Sequence, residues 1–385
     1  MDGALTWAQV GAWRMGRHHL VERAPADALL DVVSDLCGLH AQLMSSAELT
    51  AWARIADLAP DAVARALADD RSLVKSWAMR GTLHLLRSSE YGLWLGGLGT
   101  YRHYLQPAWS RGFGISPDEL RCLVDAVAEA LDGPTLDGPG LTREELAAEV
   151  ARITASPELG QKLLGSWGST LKPATYQGQL CFGPTRGRNV TFVRPDRWLP
   201  ELTVVPGDEA MATITRRFLA LNGPVTRDDL ARWWAVSPAA AGRRIKALGD
   251  EVAEVDVDGT PMWMPAADVE AAAAGGPPGA ARLLPAFDQF VIGSTRQADH
   301  LLPGPYRSRV YRPQGWISPV VMVDGLMAGV WGHERKGGRL RVTIEPFVEV
   351  ESWARRQLED EAERLGAYFQ AESDISWSSV QFGGI

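Results

Sequence analysis

Long hydrophobic runs, a secretory signal and paired cysteines are all missing from this chain of 385 residues. No stretch of about 18 apolar residues occurs, so no transmembrane helix is predicted. The first residues carry no basic segment followed by an apolar one, which argues against a secretory signal. Cys37, Cys122 and Cys181 lie far apart without a C-x-x-C pair. We therefore expect buried thiols in the cytoplasm, with neither a disulfide nor a zinc site.

The sequence also lacks the short motifs that mark the common enzyme classes. It contains no G-x-S-x-G, no G-x-x-x-x-G-K-[ST], no H-E-x-x-H and no G-x-G-x-x-G after a strand. His333-Glu334 lies in a glycine-rich hairpin without a second ligand nearby. Standard hydrolase, kinase, metalloprotease and dehydrogenase activities are therefore unsupported, and we predict no metal and no cofactor.

Net positive charge is absent as well. The formal net charge is −8 at pH 7. The lysines are few, namely Lys75, Lys162, Lys172, Lys246 and Lys336. An acidic chain has no bulk attraction for nucleic-acid phosphates, so any DNA contact must come from local basic patches.

What the sequence does contain is a helix–helix–helix–hairpin order within residues 206–275. We predict a helix over 209–221, a second helix capped by Thr226 and a third that starts at Ser237. Two short strands follow, joined at Asp258-Gly259, which is a hairpin signal. This order is that of a winged helix, whose helix-turn-helix part is a common DNA-reading unit.

The same order of helices and strands is predicted twice more upstream, although the sequences of the copies are not similar. The second copy ends in a hairpin over 179–193 with Arg186 and Arg188 at its tip. After an Ala, Gly and Pro linker at 271–280, strand patterns predict a small antiparallel sheet or barrel, closed by a helix over 352–369. The predicted fold class is α+β, mainly α, with about three tandem winged helices and a small C-terminal antiparallel β domain. The predicted divisions are residues 1–105, 106–205, 206–275 and 280–370, followed by a loosely held tail at 371–385.

The most informative segment is Gly38-Leu39-His40-Ala41-Gln42. Gly38 disfavours continuation of the preceding helix. Ser45 with Glu48 three residues later is a capping-box pattern, which predicts that a new helix opens there. The residues between the two helices are therefore predicted to form a non-helical joint.

In an extended joint, side chains two positions apart share a face. His40 and Gln42 are then expected to point together, while Leu39, Ala41 and Leu43 pack on the other side. A histidine and a glutamine that merely satisfy loop backbone groups are the simpler interpretation, and composition alone favours it.

Basic and polar residues elsewhere are candidate DNA contacts. In a strand predicted over 79–86, Arg80, Thr82 and His84 share one face. Two interpretations of that pattern are open. Either the strand lies at a sheet edge with a solvated polar face, or these residues contact phosphate or support a site. The candidate phosphate contacts are Arg14, Arg17, His18, His19, Arg102, His103, Arg186, Arg188, Arg243, Arg244 and Lys246. Each alone is more often a solvated surface charge, so clustering on a DNA-facing surface is the condition that separates the two.

Five runs of the sequence resemble one known family. They are Trp13-Arg14-x-x-Arg17-x-x-Leu20, residues 36–42, residues 77–84, residues 284–288 and Val323-Asp324-Gly325. Together they resemble the winged-helix DNA glycosylases of the AlkZ and YcaQ group over nearly the whole chain. AlkZ-type members have Gln, an apolar residue and Gln as the catalytic motif, and YcaQ-type members end it in Asp. With His40-Ala41-Gln42 this chain resembles the His-variant branch, which is associated with self-resistance to intercalating alkylators of the trioxacarcin and pluramycin type.

The resemblance implies a monofunctional DNA glycosylase for bulky N7-alkylguanine or related alkylpurine adducts in double-stranded DNA, acting as a monomer without a membrane partner. His40 would orient and deprotonate water, and Gln42 would hold that water against the deoxyribose. Arg80, Thr82 and His84 would support the site or contact phosphate. No lysine lies near the motif in sequence, which argues against a Schiff-base lyase step. A non-catalytic winged-helix regulator and a protein that sequesters the free toxin stay open as alternatives.

Overall fold

The structure is a computed structural model that describes residues 4–132, 140–166, 168–199 and 201–378. The chain forms two compact units: residues 1–63 with 215–385 make the first unit, and residues 64–214 make the second. The first unit is therefore assembled from both ends of the sequence. Helices and strands occur in each unit, which confirms the predicted α+β class. The finer division into modules stays a prediction, since each unit combines parts of several of them.

Helices supply more of the first unit than strands do. They lie at Trp7–Arg17, Leu29–Asp35, Met44–Arg54, Arg227–Trp234, Pro238–Lys246, Val269–Ala274, Gln289–Gly293, Ala298–Leu301, Arg307–Val310 and Ser352–Tyr368. Two further helices, Ala62–Ala68 and Gly207–Asn222, contain the points where the chain leaves this unit and returns to it. The first helix begins at a capping box, because Thr6 Oγ1 accepts a hydrogen bond from the Gln9 amide at 3.3 Å and Gln9 Oε1 accepts one from the Thr6 amide at 2.9 Å.

The helix order predicted for residues 206–275 is present. Thr226 caps helix Arg227–Trp234, where its hydroxyl accepts a hydrogen bond from the Asp229 amide at 3.3 Å. The Asp229 carboxylate accepts one in return from the Thr226 amide at 2.7 Å. Ser237 caps helix Pro238–Lys246, where its hydroxyl accepts a hydrogen bond from the Ala240 amide at 3.2 Å. Local side-chain chemistry therefore fixes where each of these two helices begins.

The wing of this module contains one more strand than predicted. Val252–Val257 and Thr260–Pro265 pair antiparallel around Asp258-Gly259, whose φ angles are 44° and 83°. Two consecutive positive φ values are what a tight hairpin turn requires. The N-terminal strand Ala4–Leu5 pairs parallel with Val252–Val257 and completes a three-stranded sheet.

The C-terminal sheet is mixed, whereas an antiparallel one was predicted. Its strands lie side by side in the order Ala281–Leu284, Val320–Val323, Leu326–Lys336, Arg339–Pro346 and Glu372–Trp377. The last of these pairs parallel with its neighbour. The prediction of a loose tail is therefore wrong up to residue 378, because this segment gains a full ladder of backbone hydrogen bonds. The rest of that tail, residues 379–385, lies outside the described residues.

The prediction of a linker at 271–280 is partly wrong, because its first residues belong to helix Val269–Ala274.

The prediction that all three cysteines are buried is also wrong for Cys122, which is exposed on helix Pro117–Leu131. Cys37 and Cys181 are buried as expected. No helix in the described ranges combines the length and apolarity needed to cross a membrane.

The second unit combines helices with short antiparallel strands. Its helices lie at Tyr91–Leu98, Pro107–Phe113, Pro117–Leu131, Arg143–Thr154, Pro157–Gly165, Lys172–Tyr176 and Pro195–Trp198. Its strands lie at Leu73–Trp77, Leu83–Arg87, Leu141–Thr142, Cys181–Phe182 and Thr191–Val193. The hairpin predicted over 179–193 is confirmed, since the last two strands pair with each other.

Close backbone contact in the second unit makes Gly92 sensitive to substitution. A methyl group on Gly92 would lie 1.8 Å from the carbonyl oxygen of Thr203. Gly92→Ala therefore forces a backbone shift, and we expect it to lower the free energy of unfolding by about 1–3 kcal/mol. Urea denaturation followed by circular dichroism measures this. The matched control is Gly112→Ala, where a methyl group meets no atom within 4 Å; equal stability of the two variants would contradict the prediction.

Candidate active site

The loop that carries the predicted motif, residues 38–43, is called the motif loop below. Helix Leu29–Asp35 ends before it because Cys37 and Gly38 both adopt positive φ, 57° and 92°. The Gly38 amide donates to the Val33 carbonyl at 2.8 Å, and the Cys37 amide donates to the Ser34 carbonyl at 3.0 Å. This pair of bonds is a Schellman motif, which ends the helix and turns the chain. The predicted helix break is confirmed.

The next helix, Met44–Arg54, starts without the predicted capping box. Leu43 is its N-cap residue and makes no side-chain capping bond, so the prediction for Ser45 and Glu48 is wrong. Glu48 is half-buried, and this burial raises the pKa of its carboxyl group. Glu48 lies near Tyr368 of the C-terminal helix, and burial together with the Glu48 charge raises the pKa of that tyrosine to about 12. The Glu48 charge therefore acts on the C-terminal helix, and the N-cap of its own helix has no side-chain capping bond.

Within the motif loop, the side chains of residues 39–41 are buried, and those of Gln42 and Leu43 are exposed. Leu39 and Ala41 are fully buried, as predicted, and His40 is 5% exposed. Gln42 is exposed. Leu43 is 37% exposed, so the prediction that it packs inward is wrong, because the chain turns there to begin the helix. The convergence of His40 and Gln42 on one bound water stays a prediction.

A segment distant in sequence holds the motif loop in place. It comprises residues 284–289, here called the support segment. The Phe287 ring stacks on the His40 ring, with centroids 5.0 Å apart and planes 20° apart. Gln289 Nε2 donates a hydrogen bond to the Gly38 carbonyl. Phe287 has a φ of 56°, a conformation that costs a bulky residue about 1–3 kcal/mol and is maintained only where the surroundings impose it.

A buried ion pair joins the support segment to helix Met44–Arg54. Arg54 and Asp288 are both fully buried. The guanidinium donates two parallel hydrogen bonds to the carboxylate, at 2.7 Å and 2.8 Å. Asp288 also accepts from the Phe290 amide at 2.9 Å, and Arg54 donates to the Thr50 carbonyl at 3.0 Å. Bidentate geometry with further hydrogen bonds on each partner is what a buried pair needs to offset desolvation.

His18 is a second buried imidazole close to this ion pair. It is 1% exposed, and its ring meets the Phe290 ring edge-on at 5.2 Å. Burial lowers its pKa well below the usual value, and the nearby charges of Arg54 and Arg14 lower it further. His18 is therefore neutral, which contradicts its assignment as a phosphate contact.

Arg14 is buried too, so the prediction that it contacts DNA is wrong. It is 2% exposed, and it donates to Gln297 Oε1 at 2.7 Å and to the Pro224 carbonyl at 2.6 Å. Gln297 in turn donates to Asp229 at 2.7 Å. Burial lowers the pKa of Arg14 to about 10, and the Asp229 charge partly opposes this shift. The residue stays charged at neutral pH and links the first helix to helix Arg227–Trp234 through Gln297 and Asp229.

Arg17 differs from Arg14 because it lies at the surface. Its Nε donates to the Ala220 carbonyl at 2.9 Å. With Trp13 and Arg217 it lines a groove of about 580 Å³ in the first unit. Its guanidinium carbon lies 5.9 Å from the centre of the Trp13 ring. Arg17 therefore remains a candidate phosphate contact.

The predicted strand over 79–86 in the second unit is interrupted. Met79–Gly81 form a turn in which Arg80 and Gly81 have φ angles of 58° and 67°. Regular pairing begins only at Leu83. The prediction that Arg80, Thr82 and His84 share one strand face is therefore wrong. His84 is 1% exposed, and its Nδ1 lies 3.0 Å from the Thr82 carbonyl oxygen.

A lysine without a predicted role lies beside this turn. A methyl group on Gly81 would be 3.3 Å from Lys172 Nζ and 3.0 Å from the Tyr176 hydroxyl oxygen. Lys172 is half-buried, and burial lowers its pKa. His103 is close enough that burial and the Lys172 charge together lower its pKa. Lys172 thus places positive charge beside the turn that contains Arg80.

Five more of the DNA-contact candidates lie on two exposed elements. Of the others, His19 pairs with Asp35 through Nε2 at 2.8 Å, and Arg102 donates to the Tyr101 carbonyl at 2.9 Å. In the second-unit hairpin, Arg186 pairs with Glu145, whereas Arg188 is exposed next to Gly187 at the tip. On helix Pro238–Lys246, Arg243 and Lys246 are exposed and Arg244 is half-buried. Arg243 and Lys246 also border a groove of about 430 Å³ between this helix and the wing.

The support segment could not be identified as part of the site from the sequence alone. Residues 284–288 carry a resemblance to a family, and that resemblance assigns them no role. A local signal was present, because Asp288 follows an apolar strand and caps helix Gln289–Gly293.

No cluster of three or more His, Cys, Asp or Glu side chains able to hold a metal occurs in the described part of the chain.

Comparison with known proteins gives three agreeing results. The sequence profile of the family described as DNA glycosylase AlkZ-like matches residues 33–368. The "Interstrand DNA cross-link repair glycosylase" of Streptomyces sahachiroi is 38% identical over 362 residues, covering 93% of this chain and 95% of the relative. The solved structure of "Streptomyces sahachiroi DNA glycosylase AlkZ" superimposes with a TM-score of 0.87 at 36% identity, covering 97% of this chain and 100% of the other.

Proposed function

The chain belongs to the AlkZ-like family of DNA glycosylases, and from that premise we propose that it excises bulky N7-alkylguanine or related alkylpurine adducts from double-stranded DNA. It acts as a monofunctional enzyme and as a monomer in the cytoplasm, giving self-resistance to an intercalating alkylator of the pluramycin or trioxacarcin type. The observation that supports this most directly is the fixed position of His40. Its ring is held by Phe287 beside an exposed Gln42.

The chemistry requires a water, a base and room for a cationic sugar. Alkylation at N7 puts positive charge on the purine, so the base leaves with the electron pair of the C1′–N bond and departs uncharged. The sugar passes through an oxocarbenium-like transition state, and the water oxygen forms the new bond to C1′. His40 accepts the proton of that water, and Gln42 orients it through its carbonyl oxygen and amide group. No acid is needed for the leaving group.

Adducted DNA tests this proposal directly. A duplex with one N7-guanine adduct of a planar intercalating alkylator is incubated with the enzyme, beside the same duplex without the adduct. We expect abasic sites and free modified base only from the adducted strand, measured by alkaline cleavage and mass spectrometry. Adduct that stays attached after many equivalents of enzyme and long incubation would contradict the proposal.

Phosphate contacts are proposed for exposed and half-buried arginines and lysines of both units. In the first unit these are Arg17, Arg243 and Lys246, with Arg244 beside them. In the second unit they are Arg186 and Arg188, with Arg80 and Lys172 at the turn. Local clusters of this kind let an acidic chain bind DNA, because phosphate attraction falls off within about 10 Å in salt.

Arg243 and Lys246 give a measurable prediction about salt. Each phosphate contact contributes about 0.9 to the slope of log affinity against log salt on duplex DNA. We expect the double variant R243A/K246A to reduce that slope by about 2, measured by fluorescence anisotropy on undamaged duplex. The control is Arg216→Ala, whose guanidinium already pairs with Glu251 at 2.6 Å and 2.8 Å. A double variant with the wild-type slope would exclude this helix from the DNA interface.

A further inference from the structure

Trp316 stands out on the surface of the first unit. Among the tryptophans that the structure describes, it alone is exposed, with 42% of its surface accessible. Single exposed apolar residues are common and usually need no explanation. Three properties separate Trp316 from them: a rigid base beneath its turn, a contact with the support segment, and its closeness to His40.

The turn that carries Trp316 projects from a fixed base. Tyr311 and Ile317 form an antiparallel bridge, and the Arg312 amide donates to the Trp316 carbonyl at 2.8 Å. Gln314 and Gly315 adopt positive φ angles of 61° and 77°, which reverse the chain in a short span. The Tyr311 hydroxyl donates to the Val291 carbonyl at 2.9 Å and anchors the base of the turn. The tip is therefore held in position while its side chains face solvent.

Two ring contacts connect Trp316 to His40. The Trp316 ring meets the Phe287 ring edge-on, with centroids 5.1 Å apart and planes 73° apart. Phe287 is half-buried, and its ring stacks on the His40 ring at 5.0 Å. Only the Phe287 side chain thus separates the exposed indole from His40, the proposed general base.

We propose that Trp316, backed by Phe287, is a binding platform for the planar aromatic part of the adduct. This proposal rests on the proposed function of the site and names the feature that selects its substrate. An indole offers a flat surface on which a ring system can stack, and such a contact is worth about five- to 150-fold in affinity. The alkylated purine is cationic, and tryptophan is the side chain whose face attracts cations most strongly. A large flat lesion gains this contact, whereas a methyl group on N7 does not extend to it.

Paired substrates and paired variants test the platform. The substrates are one duplex with an N7-guanine adduct of a planar polycyclic alkylator and the same duplex with N7-methylguanine. We expect Trp316→Ala to lower kcat/KM about five- to 150-fold on the planar adduct and to leave the methylated duplex nearly unchanged. Trp316→Phe keeps a flat ring and should retain most of the rate. Trp353→Ala removes a partly exposed indole elsewhere in the same unit and serves as the matched control.

The outcomes separate this proposal from the proposed function. Equal losses on the two substrates, or no loss on either, would overturn the platform while leaving the glycosylase assignment in place. If the wild type releases neither base, the proposed function fails, and equilibrium binding of the two duplexes still decides the platform. In that case Trp316→Ala must abolish a preference for the planar adduct, and an unchanged preference overturns the proposal. Melting temperatures of all variants check that the fold is retained.

Discussion

Replacing His40 with alanine is expected to slow release of the modified base by about 10²–10⁴-fold, the usual contribution of a positioned general base. His40 is proposed to take the proton of the attacking water. The loss should therefore appear in the single-turnover rate constant at saturating enzyme, while affinity for the adducted duplex changes little. The side chain is only 5% exposed and contacts Phe287, so a melting temperature close to that of the wild type is the necessary check.

A second substitution at the same position sharpens this test. His40→Gln recreates the Gln-Ala-Gln pattern that AlkZ-type relatives are expected to carry, and it keeps a group able to orient water. We expect an activity between those of the wild type and H40A, without any dependence on imidazole protonation. Wild-type rates in H40A on every adduct would exclude His40 as the base and would direct attention to Gln42 or to another part of the chain.

Removing the carboxylate of Asp288 is expected to destabilise the first unit by about 3–5 kcal/mol, because it leaves the Arg54 charge buried without a partner. Both side chains are fully buried, and Asp288→Ala deletes two hydrogen bonds of 2.7 Å and 2.8 Å at once. Chemical denaturation gives the free energy of unfolding. The activity should fall as well, since the support segment that carries Phe287 loses its anchor to the helix after the motif loop.

An exposed ion pair of similar geometry provides the matched control. Arg216 and Glu251 also form two hydrogen bonds, but their side chains are 45% and 52% exposed. Glu251→Ala should cost no more than about 1 kcal/mol, because water already solvates both charges. The double variant R54L/D288L should recover most of the stability lost in D288A, because no unpaired charge remains. Equal losses in D288A and E251A would show that the buried pair is not the anchor inferred from its geometry.

Features that depend on neighbouring residues in sequence could be predicted well. The helix break at Gly38 follows from backbone freedom, and the caps at Thr226 and Ser237 follow from side-chain oxygen chemistry. The wing turn at Asp258-Gly259 follows from its need for positive φ. In each case, the residues that decide the structure lie within a few positions of one another.

Features that depend on distant residues were predicted poorly. The sequence around Arg14 does not distinguish it from a surface arginine. Only its hydrogen bonds to Gln297 and to the Pro224 carbonyl show that it is buried. The turn at Arg80 breaks an alternating pattern that is otherwise typical of a strand. The strand Glu372–Trp377 pairs with a neighbour that no local signal identifies. Tertiary contacts decided the first and the third of these, and they override local pattern and propensity.

The candidate site shows both kinds of outcome. The two motif residues could be named from the sequence because a helix break and a family resemblance both fall on them. The support of His40 by Phe287, and of the motif loop by Asp288 and Gln289, requires contacts across most of the chain. Trp316 belongs with that second group, since tryptophan count alone does not distinguish a buried ring from an exposed one.

The assembly of the first unit from both ends of the sequence has a consequence for protein synthesis. Gln289 follows Gly38, whose carbonyl it binds, by 251 positions. At translation rates of about 5–20 residues per second, the motif loop waits roughly 10–50 s after leaving the ribosome before its supports are made. A nascent or prematurely terminated chain therefore carries His40 and Gln42 without the means to hold them. We expect only finished chains to cut glycosidic bonds, so that incomplete products remain harmless to the genome.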